Sequence, residues 1–247
     1  MRMIGTACLA AWLVVQPAAA GAAERDIRSE PVQFAPGATS KVIAGRLRGD
    51  QIVDYRLRAG AGQTLTVTLQ SGNGQNYFNL NPPGSELAMF VGSSSGERFS
   101  GMLPADGEYT VRVYLMRAAA RRNESASYKL SIAVSGKPLP PLPAKQDALI
   151  RGTPFHASAT VACAPPFNVQ KVTACEAFVT RRGFDGTATV EINWPEGFKR
   201  RILFVKGRPV AADAPEPLTS SRQGDVTVVG AGTDERFEIP DALVFGG

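Results

Sequence analysis

Alternating apolar and polar residues run through most of the chain and predict β-strands rather than helices. The clearest pattern lies at residues 108–134, where two alternating runs, Glu108–Met116 and Ala126–Val134, flank a short basic insert. A period of two, carried by β-branched and aromatic residues, is typical of strands that bury one face. We therefore expect two neighbouring strands here, joined by the insert.

The basic insert between these strands is the first candidate site. It reads Arg-Ala-Ala-Ala-Arg-Arg-Asn-Glu over residues 117–124. Alanine and arginine favour a helical turn, and in such a turn Arg117 and Arg121, at positions i and i+4, share one face. The pattern predicts a pair of guanidinium groups presented by two strands. A solvated basic hairpin loop explains the same spacing equally well.

Short strand candidates at regular spacing precede this region, separated by glycine and proline. They are Pro31–Ala35, Val42–Arg48, Ile52–Arg58, Gln63–Gln70, Asn76–Leu80, Glu86–Val91 and Glu97–Leu103. No long helical pattern interrupts the series. Such a pattern indicates an antiparallel β-sandwich or barrel of about eight strands, so we expect an all-β domain at residues 24–135.

A proline-rich stretch separates this domain from a second unit. Gly136–Pro143 contains four prolines among eight residues and should be stiff and extended, so we interpret residues 136–147 as a linker. Strand candidates resume at Phe155–Ala162, Ala174–Arg181, Thr187–Trp194, Arg200–Val205, Asp225–Val229 and Arg236–Ile239. Between them, Ala211–Gln223 is interpreted as a mobile loop. Residues 148–247 are expected to form a small antiparallel β domain.

The start of the chain has the features of a secretory signal peptide. In Met1–Ala23, Arg2 precedes an apolar run that is too short for a membrane span, and small residues in an A-x-A pattern follow it. The mature protein is therefore expected in the periplasm or outside the cell. Cleavage removes Cys8 and leaves Cys163 and Cys175. Two cysteines in an oxidising compartment predict one disulfide bond rather than a metal site.

Composition argues against several functions. Loss of Arg2 lowers the formal net charge from +5 to +4, which is a small excess for a nucleic-acid-binding protein. The single histidine, His156, excludes a metal site built on several histidines and would be the only possible base of a Ser-His-Asp hydrolase. We expect a binding protein with no catalytic residues, no metal and no cofactor.

Several motifs in residues 32–134 resemble those of known families. The motifs are Gly45–Asp50, Asp54–Leu57, Gly62–Leu69, Pro104–Val113 and Tyr128–Leu130. Together they resemble the bacterial pre-peptidase C-terminal type of domain, a jelly-roll-like β-sandwich. More narrowly, Arg112–Asn123 resembles the periplasmic inhibitors of g-type and i-type lysozymes, which are built on the same sandwich, and Val32–Gly37 fits that family too.

The inhibitor resemblance implies a partner and a binding site. It implies that Arg117 and Arg121, together with Arg122, enter the active-site cleft of a lysozyme. Some relatives insert a second loop with the pattern Ser-Gly-x-x-Tyr, whose nearest match here begins at Ser95-Gly96 and ends at Phe99 in place of tyrosine. The first hypothesis is therefore an exported lysozyme inhibitor.

A second hypothesis, from a different class of protein, is a non-catalytic envelope module that binds glycan or assists assembly. In that case Tyr77, Phe90 and Tyr114 are candidates for stacking on sugar rings. Isolated aromatic residues at alternate strand positions are, however, more often part of the core or the surface.

Overall fold

A computed structural model of the chain describes residues 27–164, 171–232 and 235–246. The predicted signal peptide, Met1–Ala23, lies outside the described residues. Within them, seventeen strands and three short helices alternate with turns, which confirms the all-β prediction. None of these helices is long and apolar enough to cross a membrane.

Residues 27–135, which we call the first domain, contain nine strands in two sheets. The elements are β1 (Ile27–Pro31), β2 (Ser40–Arg48), β3 (Ile52–Ala59), β4 (Thr64–Ser71), β5 (Asn76–Asn81), β6 (Phe90–Val91), α1 (Gly92–Ser95), β7 (Arg98–Met102), β8 (Gly107–Leu115), α2 (Arg117–Arg121) and β9 (Ser125–Ser135). One sheet has the order β1-β3-β8-β5-β6 and the other β2-β9-β4-β7. All pairs are antiparallel except β1 with β3.

The two sheets enclose one apolar core, as the alternation in the sequence predicts. Along β8, Tyr109, Val111 and Val113 are fully buried, whereas Arg112 and Tyr114 lie on the outer face. Large core side chains from both sheets meet between the layers: Tyr55, Leu57, Leu65, Val67, Leu69, Phe78, Leu80, Leu130 and Ile132. The first domain is a β-sandwich, and the outer face of its five-stranded sheet carries the polar residues of β3, β5 and β8.

Two strand predictions in the first domain were wrong in position. The first strand is Ile27–Pro31 rather than Pro31–Ala35; its side chains are mostly exposed, so no apolar alternation marks it in the sequence. The amide of Val32, just after this strand, donates to the carbonyl of Arg56 at 2.7 Å. The predicted strand Glu86–Val91 shortens to β6, because the side-chain amide of Asn81 donates to the carbonyl of Glu86 and holds that segment as a turn.

The described residues from 148 to 246, which we call the second domain, form one eight-stranded antiparallel sheet with a short C-terminal helix. Its elements are β10 (Ala157–Ala164), β11 (Thr173–Arg181), β12 (Ala188–Asn193), β13 (Lys199–Val205), β14 (Arg208–Ala212), β15 (Leu218–Gln223), β16 (Val226–Ala231), β17 (Glu235–Pro240) and α3 (Asp241–Phe245). The strand order is β14-β13-β12-β11-β10-β17-β16-β15. The predicted disulfide joins Cys163 on β10 to Cys175 on β11.

The mobile loop predicted for Ala211–Gln223 was wrong. Most of this stretch belongs to β14 and β15, the two edge strands of the sheet. Because β15 is an exposed edge that pairs through its backbone with β16, its side chains show no apolar alternation for a sequence pattern to reveal. Pro209 is tolerated because β14 also lies at an edge.

A buried ion cluster fixes the connection between β14 and β15. Asp213 has no exposed surface and accepts hydrogen bonds from the backbone and the guanidinium of Arg201, at 2.7 and 3.2 Å. Arg200 donates to both carboxylate oxygens of Glu235, at 2.8 and 2.5 Å. Burial raises the pKa of Asp213, and the charges of the two arginines oppose that shift. The cluster is fully paired and therefore structural.

The two domains pack against each other through a buried arginine. The side chain of Arg182 is only 2% exposed; it pairs with Asp106 of the first domain at 2.8 Å and also donates to the carbonyl of Leu139. Beside it, the hydroxyl of Thr189 donates to the carbonyl of Pro104 at 2.7 Å. Leu139 itself packs against Ala61, Leu203 and Ala211. The predicted linker, residues 136–147, thus contacts both domains although most of its residues are exposed.

Candidate functional site

The basic insert forms the helical turn α2, and its two central alanines explain its position. Ala119 and Ala120 are buried and pack into the sandwich core, so the turn lies flat on the end of the domain. Arg117 and Arg121 lie on the opposite side and are exposed. The predicted pair of guanidinium groups is therefore present, and among the described residues neither arginine takes part in an ion pair.

Hydrogen bonds at the end of α2 hold the turn rigidly. Asn123 adopts a left-handed conformation with φ of 55°, which ends the helix, and its side chain accepts a hydrogen bond from Arg48 at 3.2 Å. Glu124 accepts hydrogen bonds from Asn73 at 3.0 Å and from Arg122 at 2.7 Å. These hydrogen bonds, first Asn73 and then Arg122, lower the pKa of Glu124. The carboxylate thus ties α2 to the β4–β5 connection.

Gly49 shows why the β2–β3 turn can approach α2 closely. Its φ of 58° is left-handed, and a Cβ at this position would lie 3.0 Å from the side-chain oxygen of Asn123. Its amide donates to the carbonyl of Glu124 at 2.9 Å. The turn that follows therefore brings Asp50 and Gln51 to the side of α2.

A groove of about 590 Å³ lies between this turn, β5, the end of β8 and α2. We call it the arginine groove, because Arg117 and Arg121 both line its α2 end. Its other polar lining residues are Asp50, Gln51, Gln75, Asn79, Arg112 and Tyr114. The two candidate arginines thus belong to a concave polar site and not to an isolated surface loop.

The floor of the arginine groove is held by two cross-strand interactions. Arg112 on β8 binds both carboxylate oxygens of Asp54 on β3, each at 2.7 Å, and this contact raises the pKa of Arg112. Tyr114 donates to the side-chain oxygen of Asn79 on β5 at 3.1 Å. Arg112 is therefore neutralised within the sheet, which leaves Arg117 and Arg121 as the groove's uncompensated cations.

The remaining residues of the predicted site lie outside this groove. Arg122 points away from it and pairs with Glu124. Ser95 and Gly96 are exposed at the end of α1. Phe99, which occupies the tyrosine position of the second loop, is half-buried on β7 and packs edge-on against Phe90 at 5.6 Å.

The structure separates the three aromatic candidates for sugar binding. Phe90 is 8% exposed and stacks on Phe78 at 4.9 Å, so it belongs to the core. Tyr77 and Tyr114 are half-buried on the outer face, where they lie directly opposite each other in the register of β5 and β8. Alternation along β8 already placed Tyr114 on the polar face. No pattern in the sequence, however, indicated that Gln75 and Asn79 line the groove.

The geometry offers no support for hydrolytic catalysis. Gly92–Gly96 fits the G-x-S-x-G pattern of a hydrolase, but the hydroxyl of Ser94 donates to the carbonyl of Val91 at 3.0 Å. Both ring nitrogens of His156 are engaged with backbone groups: Nδ1 accepts from the amide of Arg181 at 3.0 Å, so Nε2 donates to Leu142 at 2.9 Å. No group of three or more metal-ligating side chains is present in the described residues.

Fold and site together define an all-β protein that presents an exposed arginine turn beside a polar groove. No protein-family model matches the chain. A curated relative, the inhibitor of g-type lysozyme from Escherichia coli (strain K12), is 29% identical over 106 residues, which are 42% of this chain and 78% of the relative.

Two solved structures extend the comparison. The periplasmic inhibitor of g-type lysozyme from Aeromonas hydrophila is 38% identical with a TM-score of 0.42, covering 44% of this chain and 98% of that one. The pre-peptidase C-terminal domain of a Bacillus anthracis collagenase is 15% identical with a TM-score of 0.32, covering 45% and 97%. Over less than half its length, the chain is similar to periplasmic inhibitors of g-type lysozyme, which confirms the resemblance inferred from the sequence.

Proposed function

We propose that this protein is an exported lysozyme inhibitor that acts in the periplasm and inserts Arg117 and Arg121 into the active-site cleft of a g-type lysozyme. The observation that carries the proposal is the exposed arginine pair on a rigid turn. The similarity to the Escherichia coli inhibitor of g-type lysozyme supports the choice of partner. Between the g-type and i-type partners expected from the sequence, this relative favours the g-type.

The electrostatics of a glycosidase cleft suit this pair of arginines. Glycosidases generally act through carboxylic side chains, and a guanidinium binds a carboxylate with two parallel charge-assisted hydrogen bonds. Because α2 is fixed by its buried alanines and by Asn123 and Glu124, the arginines lose little backbone freedom on binding. The proposed inhibitor therefore offers cations that fit the cleft and are already positioned.

The other residues of the predicted site take secondary roles in this proposal. Arg122 supports the turn through its ion pair with Glu124 and adds positive charge at its rim. The connection from Ser95 to Phe99 is proposed as a second contact. Its exposed Ser95 and Gly96 would meet the partner, while the ring of Phe99 packs against the core and holds the loop.

The proposal is tested by the effect of arginine substitutions on inhibition. Truncating one member of a desolvated, hydrogen-bonded ion pair costs about 2–5 kcal/mol, so Arg121→Ala should weaken inhibition of g-type lysozyme by about 30-fold or more. Arg117→Lys should also weaken inhibition, because an ammonium group cannot form the two parallel hydrogen bonds. Turbidity of a cell-wall suspension, measured with g-type, i-type and c-type lysozymes, gives the inhibition constants.

Arg151→Ala is the matched control, since Arg151 is an exposed arginine of the second domain. It should leave inhibition unchanged, and all three variants should keep the wild-type unfolding temperature. If the wild-type protein inhibits none of the lysozymes at micromolar concentration, the proposed function is wrong. If it inhibits but Arg121→Ala inhibits equally well, the proposed contact is wrong.

A further inference from the structure

The arginine groove has a composition that the contact with a lysozyme cleft does not explain. An inserting loop needs only Arg117 and Arg121 at its tip, yet the groove continues from them across the outer face of the sheet to Tyr114 and Asn79. Its volume of about 590 Å³ lies within the range of sites for small ligands. A concave site with convergent polar groups suggests a ligand of its own.

One aromatic side chain, that of Tyr114, lines this groove among the described residues. In the strand register, Tyr114 on β8 lies between Ile52 on β3 and Tyr77 on β5. All three belong to the outer face, because the alternate residues Val53, Val113 and Phe78 fill the core. The half-buried ring of Tyr114 lines the groove beside Ile52, which is only 8% exposed, and the ring gives an apolar surface of the kind that packs against the face of a sugar.

Hydrogen-bonding groups surround the tyrosine and keep unused capacity. The phenol of Tyr114 donates to the Asn79 oxygen, which leaves the phenol oxygen free to accept and the Asn79 amide nitrogen free to donate. Gln51 accepts a hydrogen bond from the amide of Arg48 through its oxygen, so its nitrogen also remains a donor. Mixed donors and acceptors around an apolar surface match the hydroxyl and acetamido groups of a sugar.

The charge of the groove selects among sugars. Asp54 neutralises Arg112. Among the described residues, Asp50 is the only acidic residue in the lining, against Arg117 and Arg121 at the α2 end. The groove is therefore positive at one end and nearly neutral over the tyrosine. A ligand that complements both parts carries a carboxylate next to uncharged sugar rings.

We propose that the arginine groove binds an acidic oligosaccharide, with a sugar ring on Tyr114 and its carboxylate on Arg117 and Arg121. This binding activity does not depend on the proposed inhibition of lysozyme, although both would use the same two arginines. A chain occupied by such a saccharide could not insert these arginines into an enzyme cleft, so the two ligands should compete.

Two disaccharides that differ chiefly in one carboxylate test whether the groove recognises that group. The probes are N-acetylglucosaminyl-N-acetylmuramic acid, which carries a carboxylate, and N,N′-diacetylchitobiose, which has the same ring skeleton without it. Each is titrated into the mature, isotope-labelled full chain while the side-chain amide signals of Asn79, Gln75 and Gln51 are followed by NMR. The acidic disaccharide should shift these signals at millimolar concentration and bind about tenfold more tightly than the neutral one, because a hydrogen bond to a charged group is lost in the latter.

Substitutions test which side chains bind the sugar ring and which bind the carboxylate. Tyr114→Ala should abolish the shifts with both disaccharides, whereas Tyr114→Phe, which keeps the ring, should weaken binding only a few-fold. Arg117→Gln combined with Arg121→Gln should reduce the affinity for the acidic disaccharide to that for the neutral one. Unchanged backbone spectra outside the groove will show that each variant is folded.

Three results would overturn the inference: no shift at the groove amides, equal affinity for the two disaccharides, or full binding by Tyr114→Ala. None of them bears on lysozyme inhibition, which is measured without added saccharide. Conversely, saccharide binding by a chain that inhibits no lysozyme would sustain this inference and refute only the proposed function.

Discussion

Replacement of Arg182 by alanine should uncouple the two domains. Its guanidinium group is the most buried charge at the junction, 2% exposed, and it contacts Asp106, the carbonyl of Leu139 and the hydroxyl of Thr189. The proline-rich composition of residues 136–147 by itself predicts two autonomous domains on a spacer. From the contacts of Arg182 we expect instead that the two domains unfold together until this contact is removed.

The free energy lost in Arg182→Ala depends on which polar groups the substitution leaves without a partner. Removing one partner of a buried ion pair typically costs about 3–5 kcal/mol, because a charge stays buried without compensation. Here the remaining charge is Asp106, which is 42% exposed and stays hydrated. Thr189 keeps its hydrogen bond to Pro104, so the loss should fall to about 2 kcal/mol.

Calorimetry and limited proteolysis measure the consequence. The mature wild-type protein should show one unfolding transition and resist cleavage near Lys145. Arg182→Ala should show two transitions and release two folded fragments, while Arg151→Ala, at an exposed arginine, should behave as wild type. A single unchanged transition in Arg182→Ala would show that the apolar contacts of Leu139 hold the junction. Two transitions in the wild type would show that the domains are autonomous.

Two further predictions concern the disulfide and the α2 turn. Denatured, unreduced mature protein should contain no reactive thiol, and one reactive thiol per cysteine before reduction would contradict the pairing. Reduction of Cys163–Cys175 should destabilise the protein by about 3 kcal/mol, which should lower the temperature of its single unfolding transition by about 10 °C. The pKa of Glu124 is lowered in the fold, so its contribution to stability is complete above its ordinary pKa and is lost as the pH falls through the lowered value. An NMR titration should find that Asn73→Ala raises this pKa towards its ordinary range, and an unchanged pKa would refute the role of Asn73.

The sequence alone determined the features that depend on local pattern. Alternation located β8 and β9, and the Arg-Ala-Ala-Ala-Arg insert predicted the turn α2 with both arginines exposed, because a short helical turn packs its small residues inwards and its long charged ones outwards. Export and an even cysteine count predicted the Cys163–Cys175 bond. Each of these conclusions requires only the pattern of neighbouring residues or the count of one residue type.

Tertiary structure decided the features that depend on residues distant in the chain. The arginine groove joins Asp50, Asn79 and Tyr114 from three elements, and no local pattern shows that the sheet order places them together. The edge strand β15 shows no alternation, because its side chains are exposed and only its backbone is paired. The linker contacts both domains because Arg182 donates to the carbonyl of Leu139 and the Leu139 side chain packs against Ala61. These contacts depend on how the two sheets pack. Periodicity records which face of a strand is buried, whereas the strand order and the packing of the two domains bring the site residues together.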